Sequence, residues 1–271
     1  MKKKNVIDIM EMKKNNIKIT MLTAYDHVMA SILDEAGTDM LLVGDTMGMV
    51  VFGHQTTLKV TLQDSIRHTQ AVAQGAKSAL VIGDLPFGTF QVSPEEAVRN
   101  SVKLVQEGNA EAIKLEGGSE RVTSIRKILD AGIPVMGHLG LTPQSYHKFG
   151  GFKVQARSEE AAKFILNEAK ALEKAGIFSL VLEAIPWQVA KKITEAISVP
   201  TIGIGAGPYC DGQVLVTYDM LGYFDFKAKF VKRYANIKNQ ILSAVQQYNA
   251  EVREKIFPDL TYSYEMPPHN E

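Results

Sequence analysis

Short apolar runs alternate along this chain with segments in which apolar residues recur at helical spacing. The apolar runs predict strands at residues 18–24, 39–45, 79–87, 112–118, 133–140, 178–185, 199–207 and 212–221. The intervening segments predict helices at residues 27–37, 61–76, 93–108, 119–132, 158–176, 187–198 and 227–256. Apolar strands without strict alternation are typical of a parallel sheet that is covered on both faces.

About eight strand–helix units in one chain predict a (β/α)8 barrel, and a doubly wound open sheet is the alternative. The 271 residues, of which 45% are hydrophobic, suit one barrel better than two small domains. We therefore expect a single domain over residues 1–271, with a short N-terminal segment and a C-terminal helical extension. A long loop is expected at 141–157, and an irregular tail after residue 256.

The charge balance, the cysteine count and the length of the apolar runs limit the partners and the compartment that we expect for this protein. Thirty basic and thirty acidic residues balance, which gives no indication of a nucleic-acid or acidic-membrane partner. A single cysteine, Cys210, excludes an internal disulfide and fits a reducing compartment. The basic N-terminus has too short an apolar run for a signal peptide, and no segment approaches the ~20 apolar residues of a membrane span. We expect a cytoplasmic protein.

Charged residues stand where the predicted strands end, which is where β/α barrels build their active sites. They are Asp45, Asp84, Lys114, Glu116, His138 and Glu183. Such charges at the ends of apolar strands are costly to bury unless they are paired or bound to a metal. A single strand-end aspartate is as typical of a helix cap, but the recurrence in adjacent units favours a functional cluster.

Three of these carboxylates, Asp45, Asp84 and Glu116, form an all-oxygen set that suits a hard cation such as Mg²⁺. Glu116 would act directly or through water. The metal would chelate a 2-oxo acid and, as a Lewis acid, make the adjacent C–H more acidic. Lys114 lies two residues from Glu116 and so shares its strand face, where it would neutralise the same oxygens. Glu183 would be the general base.

Other candidates have two interpretations each. His138 fits either loop packing or catalysis. The glycine-rich stretch at 203–207 fits either a phosphate cradle or a tight turn. His54 is expected to anchor its loop rather than to bind a metal, and Cys210 has no evident activating partner.

Several longer stretches resemble the ketopantoate hydroxymethyltransferase family. They are LTAYD (22–26), VGDTMGMVVFGHQTT (43–57), GDLPFGTF (83–90), IKLEGG (113–118), GHLGLTPQ (137–144), GGFKVQAR (150–157), LEAIP (182–186) and IGIGAGPYCDGQVLV (202–216). The resemblance extends from about residue 17 to about residue 225.

This resemblance implies a (β/α)8 barrel of the phosphoenolpyruvate/pyruvate type and a Mg²⁺-dependent enzyme of pantothenate biosynthesis. Such an enzyme transfers a one-carbon unit from 5,10-methylenetetrahydrofolate to 3-methyl-2-oxobutanoate and gives 2-dehydropantoate. The resemblance also implies a large ring of identical subunits, usually a decamer.

Matched residue by residue, the family's metal positions correspond to Asp45, Asp84 and Glu116. Its oxo-acid contacts correspond to Asp45, Thr46, Asp84 and Lys114, its proton acceptor to Glu183, and a pocket histidine to His138. Thr46-Met47 departs from the usual Ser-Leu, but the hydroxyl is kept, so we expect substrate binding to survive.

Two rival functions fit parts of the same pattern. One is another Mg²⁺–enolate barrel enzyme, such as a phosphoenolpyruvate mutase or an isocitrate-lyase-like lyase. Those lyases carry a catalytic cysteine in a Lys-Lys-Cys-Gly type loop, whereas Cys210 lies in GPYCDG. The other is a non-catalytic barrel that serves as a scaffold, which a Mg²⁺ titration would distinguish.

Overall fold

A computed structural model describes residues 2–225 and 228–267. The chain divides into two compact units, Met1–Thr217 and Tyr218–Glu271. The expectation of one domain with a helical extension stays a prediction.

Eight parallel strands of the first unit close into a barrel, each paired with its neighbour in sequence and β8 paired with β1. They are β1 (Ile19–Thr23), β2 (Met40–Val43), β3 (Leu80–Asp84), β4 (Ala112–Lys114), β5 (Val135–Gly140), β6 (Ser179–Glu183), β7 (Thr201–Ile204) and β8 (Gly212–Leu215). The predicted (β/α)8 barrel is therefore confirmed, and the open sheet was wrong.

Helices of the first unit surround the barrel, and all but α1 lie between its strands in sequence. They are α1 (Val6–Lys14), α2 (His27–Glu35), α3 (Met47–Val50), α4 (Leu62–Gly75), α5 (Pro94–Gln106), α6 (Val122–Asp130), α7 (Tyr146–Phe149), α8 (Glu159–Ala175) and α9 (Trp187–Ala196). Helix α10 (Thr217–Met220) follows β8 and begins at the last residue of the first unit. Thr61 and Asp64 form a capping box at the start of α4, and Ser93 caps α5 ahead of Pro94. Both starts agree with the sequence signals.

The core has two layers, and strand parity decides which residues enter each. Ile113 of β4, and Leu115 just beyond the strand, pack in the outer layer between the strands and the helices. Ala112 of β4 packs in the barrel interior. Lys114 and Glu116 share the parity of Ala112 and line the cavity at the barrel's C-terminal end. The predicted common orientation of Lys114 and Glu116 is confirmed.

Helix α1 covers the N-terminal end of the barrel, and the sequence analysis did not predict it. Ile9 is fully buried in the same apolar cluster as the barrel interior. Lys3 Nζ donates to the carbonyls of Ala76 and Ala79, which precede β3. Asn5 and Asp8 form a capping box, so the sequence did carry a helix-start signal here.

Two other regions differ from the predictions. The eighth strand was predicted to reach residue 221, but β8 ends at Leu215 and the chain turns into α10. There Thr217 donates its N–H to Thr23 Oγ1 and its hydroxyl to the Thr23 carbonyl. The loop at 141–157 contains α7 and a 3-10 turn, Pro143–Ser145.

The second unit contains α11 (Ile237–Arg253), which is shorter than the helix predicted at 227–256. Residue 227 lies outside the described residues, and 228–236 are not helical. None of the residues of α11 is fully buried. Among the helices of the described ranges, none combines the length and the apolar character that a bilayer crossing requires.

Candidate active site

All seven residues named from the sequence line one cavity at the C-terminal end of the barrel, with a volume of about 50 Å³. They are Asp45, Thr46, Asp84, Lys114, Glu116, His138 and Glu183. The closed barrel explains this convergence, because the carboxyl ends of all its parallel strands meet at one end.

Lys114 and Asp84 form a buried ion pair at the centre of the cavity. The ammonium nitrogen lies 2.8 Å and 2.7 Å from the two carboxylate oxygens. Burial lowers the pKa of Lys114, but the carboxylates of Asp84, Glu116 and Asp45 outweigh it and the pKa is raised. Lys114 therefore carries a fixed positive charge at neutral pH.

Asp45 is held from two directions. Its Oδ2 accepts a hydrogen bond from Nε2 of Gln144 at 3.0 Å, and its backbone N–H donates to Asp84 Oδ2 at 3.4 Å. Burial, together with the nearby charges of Asp84 and Glu116, raises the pKa of Asp45 well above its usual range. The surroundings of Asp45 therefore disfavour its ionised form in the absence of a cation.

His138 lies between two carboxylates. Its Nδ1 is 3.5 Å from Oε1 of Glu116, and its Nε2 is 3.2 Å from Oε2 of Glu183. Neither contact has hydrogen-bond geometry, and within the described chain both ring nitrogens and Glu116 Oε1 are buried without a hydrogen-bond partner. Burial lowers the pKa of His138, but Glu116 and Glu183 raise it to about 9. The two acids thus favour the protonated form of the ring that lies between them.

Thr46 precedes α3 and lies at the side of the cavity. Its hydroxyl shares a hydrogen bond of 2.8 Å with the phenol of Tyr25, a residue of the LTAYD motif. The Thr46 backbone is helical and its side chain makes no cap hydrogen bond, so the hydroxyl faces Tyr25 rather than the helix start. A threonine therefore supplies a positioned hydroxyl here.

Gln144 is a residue of the site that the sequence analysis did not assign. Its side-chain amide donates to Asp45 Oδ2 and to the Leu85 carbonyl, and its backbone N–H donates to Glu116 Oε2, each at 3.0 Å. Its Oε1 accepts from Gln91 Nε2 at 3.0 Å. Gln144 ends the GHLGLTPQ motif, but a polar loop residue carries no periodic signal of its own.

The donor set fits a divalent cation. In the described part of the chain no three His, Cys, Asp or Glu side chains are already spaced as a metal cage. The oxygens of Asp84 face Lys114, and one oxygen of Asp45 faces Gln144. Buried oxygens with raised pKa values and the unpartnered Glu116 Oε1 are nevertheless the donors that a hard cation requires. Asp45, Asp84 and Glu116 are the residues that would hold Mg²⁺.

The remaining candidates lie outside this cluster. His54 packs edge-on against Phe52, with ring centroids 5.9 Å apart, as expected for a loop anchor. Gly207 has a φ of +81°, and a Cβ there would overlap Trp187. The glycine-rich stretch thus has the geometry of the tight-turn alternative.

Comparisons with known proteins are consistent in fold and in family. Over 267 residues the chain is 55% identical to the 3-methyl-2-oxobutanoate hydroxymethyltransferase of Clostridium kluyveri, covering 98% of this chain and 95% of that protein. It is 56% identical over 254 residues to the enzyme of that name from Syntrophus aciditrophicus, covering 93% of each. The family model described as ketopantoate hydroxymethyltransferase matches residues 3–260.

Solved structures support the fold. A phosphonopyruvate hydrolase in complex with oxalate and Mg²⁺ superposes with a TM-score of 0.61 at 12% identity, covering 97% of this chain and 93% of that one. A 2,3-dimethylmalate lyase, a member of the phosphoenolpyruvate mutase/isocitrate lyase superfamily, superposes with a TM-score of 0.60 at 17% identity. The match covers 97% of this chain and 91% of that one.

The fold and the buried polar cluster at its strand ends define a (β/α)8 barrel with a candidate active site at the C-terminal ends of its strands. Within that class, the chain belongs to the ketopantoate hydroxymethyltransferase family and is a transferase.

Proposed function

We propose that this enzyme transfers the one-carbon unit of 5,10-methylenetetrahydrofolate to C3 of 3-methyl-2-oxobutanoate in a Mg²⁺-dependent reaction. The products are 2-dehydropantoate and tetrahydrofolate, and one water supplies the hydroxyl oxygen. The observation that carries the proposal is the buried cluster of Asp45, Asp84, Glu116 and Lys114 in a chain of this family.

Asp45 and Asp84, with Glu116 directly or through water, are proposed to hold the metal. When bound, Mg²⁺ polarises the keto group of the oxo acid and makes its C3–H more acidic. A solved phosphonopyruvate hydrolase of the same fold is in complex with oxalate and Mg²⁺, which supports the proposal that a cation and a small carboxylate ligand bind together here.

Lys114 and Thr46 are proposed to hold the oxo acid. The Lys114 ammonium is buried beside Asp84 and supplies positive charge for the substrate oxygens. The Thr46 hydroxyl, which is positioned by Tyr25, supplies a hydrogen bond. Both groups are in place before substrate enters, which lowers the cost of orienting it.

Glu183 is proposed to take the C3 proton. It stands at the end of β6, and its side chain is 18% exposed, more than that of Glu116 at 4%. His138 orients it through the 3.2 Å contact from Nε2 to Oε2. Removal of the proton gives a carbon nucleophile that bonds to the methylene carbon. The two bonds from that carbon to folate nitrogens are broken, water supplies the hydroxyl group, and the nitrogens take up the two protons released from C3 and water.

Proton exchange tests this proposal without the folate. In D₂O the enzyme with Mg²⁺ is expected to remove the C3 proton signal of 3-methyl-2-oxobutanoate from the NMR spectrum, and EDTA is expected to prevent the loss. Glu183→Gln is expected to abolish the exchange. Glu195→Gln, at an exposed glutamate on α9 that pairs with Lys191, is the matched control. Exchange at full rate in Glu183→Gln contradicts the base assignment.

We also propose that the protein acts in the cytoplasm as a ring of identical subunits, a decamer. The family resemblance supports this assembly, as do apolar side chains such as Val28 and Ile32 on α2, which are 67% and 56% exposed. Sedimentation velocity provides the test, and a species near the 29.8 kDa of one chain contradicts the proposal.

A further inference from the structure

A second cavity, of about 300 Å³, lies beside the one described above. Its walls come from the segments that follow β3, β4 and β5 and from α8. Glu116 lines both cavities, and Gln144 lines the larger one while it donates to Asp45 in the smaller. The larger cavity therefore adjoins the proposed reaction centre.

The proposed reaction has two organic reactants, and the two cavities differ in size accordingly. The cavity of about 50 Å³ over Asp84 and Lys114 suits only a small acid. The cavity of about 300 Å³ falls at the lower end of the range for ligand pockets, about 300–1,000 Å³. It suits a bicyclic ring better than a whole folate molecule, whose tail would have to leave it.

The walls of the larger cavity are apolar and aromatic. Leu139 and Ile165 are buried there, and Phe149 and Phe164 add aromatic surface, with Phe164 66% exposed at the outside. Apolar walls with a few polar groups are the usual surroundings of a flat heteroaromatic ligand.

Arg121 provides a free donor in this cavity. Its Nε is buried and has no hydrogen-bond partner in the described part of the chain, while its guanidinium lies over the Phe90 ring, 5.6 Å from the centroid. A buried N–H without an acceptor is costly, so the site is incomplete until a ligand supplies one.

Two of the acids that line this cavity, Glu168 and Glu120, already have other partners. Glu168 accepts from the backbone N–H and the hydroxyl of Ser119, at 2.5 Å and 3.0 Å. Glu120 accepts from the backbone N–H of Gly118 at 3.2 Å. No ion pair joins Arg121 to an acid among the residues that the structure describes. Its charge is available to a ligand.

We propose that this cavity binds the reduced pterin ring of the folate donor. Arg121 donates to an acceptor on the ring edge, and the anionic tail leaves past the exposed Lys148, which also lines the cavity. The inference rests on the proposed function, because that function makes a folate the second reactant. In this arrangement the one-carbon unit approaches the oxo acid past Glu116.

The test is the binding of tetrahydrofolate, which carries no one-carbon unit and cannot react. Anaerobic titration calorimetry is run with Mg²⁺ and 3-methyl-2-oxobutanoate present. Arg121→Met keeps the stem over Phe90 but removes the donor, and Ala161→Phe fills the cavity from α8. Arg126→Met, an exposed arginine on α6, is the matched control.

The Kd for tetrahydrofolate is expected to rise at least tenfold in Arg121→Met and in Ala161→Phe, and to stay within twofold in Arg126→Met. Ala161→Phe decides the matter if Arg121→Met does not fold. Wild-type affinity in the folded variants, or no tetrahydrofolate binding by the wild type, overturns the inference. If the wild type exchanges the C3 proton without folate while the tetrahydrofolate result is negative, the pterin site is wrong and the proposed function stands. If the wild type shows no exchange, the proposed function itself fails.

Discussion

The side-chain amide of Gln144 donates to Oδ2 of Asp45 at 3.0 Å and so joins the loop after β5 to the acid that follows β2. The backbone N–H of the same residue donates to Glu116 Oε2 at 3.0 Å. Two of the three proposed metal-binding carboxylates are therefore oriented by one residue that binds neither metal nor substrate in the proposed mechanism.

Replacing Gln144 is expected to weaken the metal site. Gln144→Leu leaves Asp45 Oδ2 and the Leu85 carbonyl without their donor. Groups that orient metal ligands typically contribute 10–100-fold in affinity or activity, so the Mg²⁺ affinity is expected to fall by about that factor. Calorimetric titration with Mg²⁺ measures it. Gln74→Leu, on the exposed side of α4, is the control, and equal affinities in the two variants contradict the role of Gln144.

A methyl group at Gly140 is expected to displace the proposed base. Gly140 pairs with Glu183 in register, has a φ of +99°, and would place a Cβ onto the Glu183 carbonyl. Gly132 has a φ of +83° but open space around its Cβ position. Both alanine variants lose about 1–2 kcal/mol to the backbone conformation. Only Gly140→Ala is expected to lose at least tenfold in kcat. Steady-state assays measure kcat, and urea unfolding curves measure the loss of stability in both variants.

Neutralising Asp45 is expected to stabilise the metal-free protein while it abolishes activity. Because burial and the neighbouring Asp84 and Glu116 raise the pKa of Asp45 in the folded state, its ionised form costs folding free energy at neutral pH. In EDTA at pH 7, Asp45→Asn is expected to gain about 0.5–2 kcal/mol in unfolding free energy. The gain shrinks as the pH falls through the raised pKa, because wild-type Asp45 is then protonated. If Asp45→Asn is less stable than the wild type at pH 7, the raised pKa of Asp45 is contradicted.

His138 is expected to make stability depend on pH in the alkaline range. Its pKa rises from 6.5 to about 9 on folding, through Glu116 and Glu183 against the effect of burial. The stabilisation is complete below about pH 6.5 and is lost as the pH rises through 9. It amounts to about 3 kcal/mol in EDTA. Urea unfolding of wild type and His138→Gln between pH 6 and 10 measures it, and a ring that titrates near 6.5 by NMR refutes it.

Lys13 is expected to stabilise the N-terminal end of the barrel. Its ammonium donates to the carbonyls of Thr194, Ile197 and Val199 at 3.1, 3.0 and 3.0 Å and pairs with Asp211 at 3.0 Å. Lys13→Met is expected to cost about 1–3 kcal/mol of unfolding free energy, since these acceptors lose their donor. Lys14→Met removes only an exposed pair within α1 and is the control. Equal midpoints in urea would show that the contacts are not stabilising.

The barrel was predictable because its signal is local to each strand and repeats. A run such as Leu80–Asp84 is apolar on both faces and ends in an acid, so strand, parallel sheet and site position follow from one short segment. The parity of Lys114 and Glu116 followed for the same reason. The meeting of these residues in one cavity then follows from closure of the barrel, which requires no further information.

Contacts between distant loops were not predictable in this way. Gln144 is recognisable only once the loop after β5 lies over Asp45 and Leu85. The segment at 228–236 has helix-forming composition, but it makes other hydrogen bonds. The Tyr234 backbone N–H donates to the Met220 carbonyl, and the Arg233 guanidinium donates to the Phe224 carbonyl. Tertiary hydrogen bonds outweighed helix propensity there.

The position of α1 has a consequence for the order in which the chain is assembled. Lys13 is synthesised early, but its carbonyl partners lie 181, 184 and 186 residues later. On the ribosome this helix must wait, with its apolar side uncovered, until most of the barrel has emerged. Such a non-local contact slows folding, because the connecting chain must first be ordered. Helix α1 is thus synthesised long before it can complete its contacts, and a chain that stops before residue 194 has none of these carbonyls to offer it.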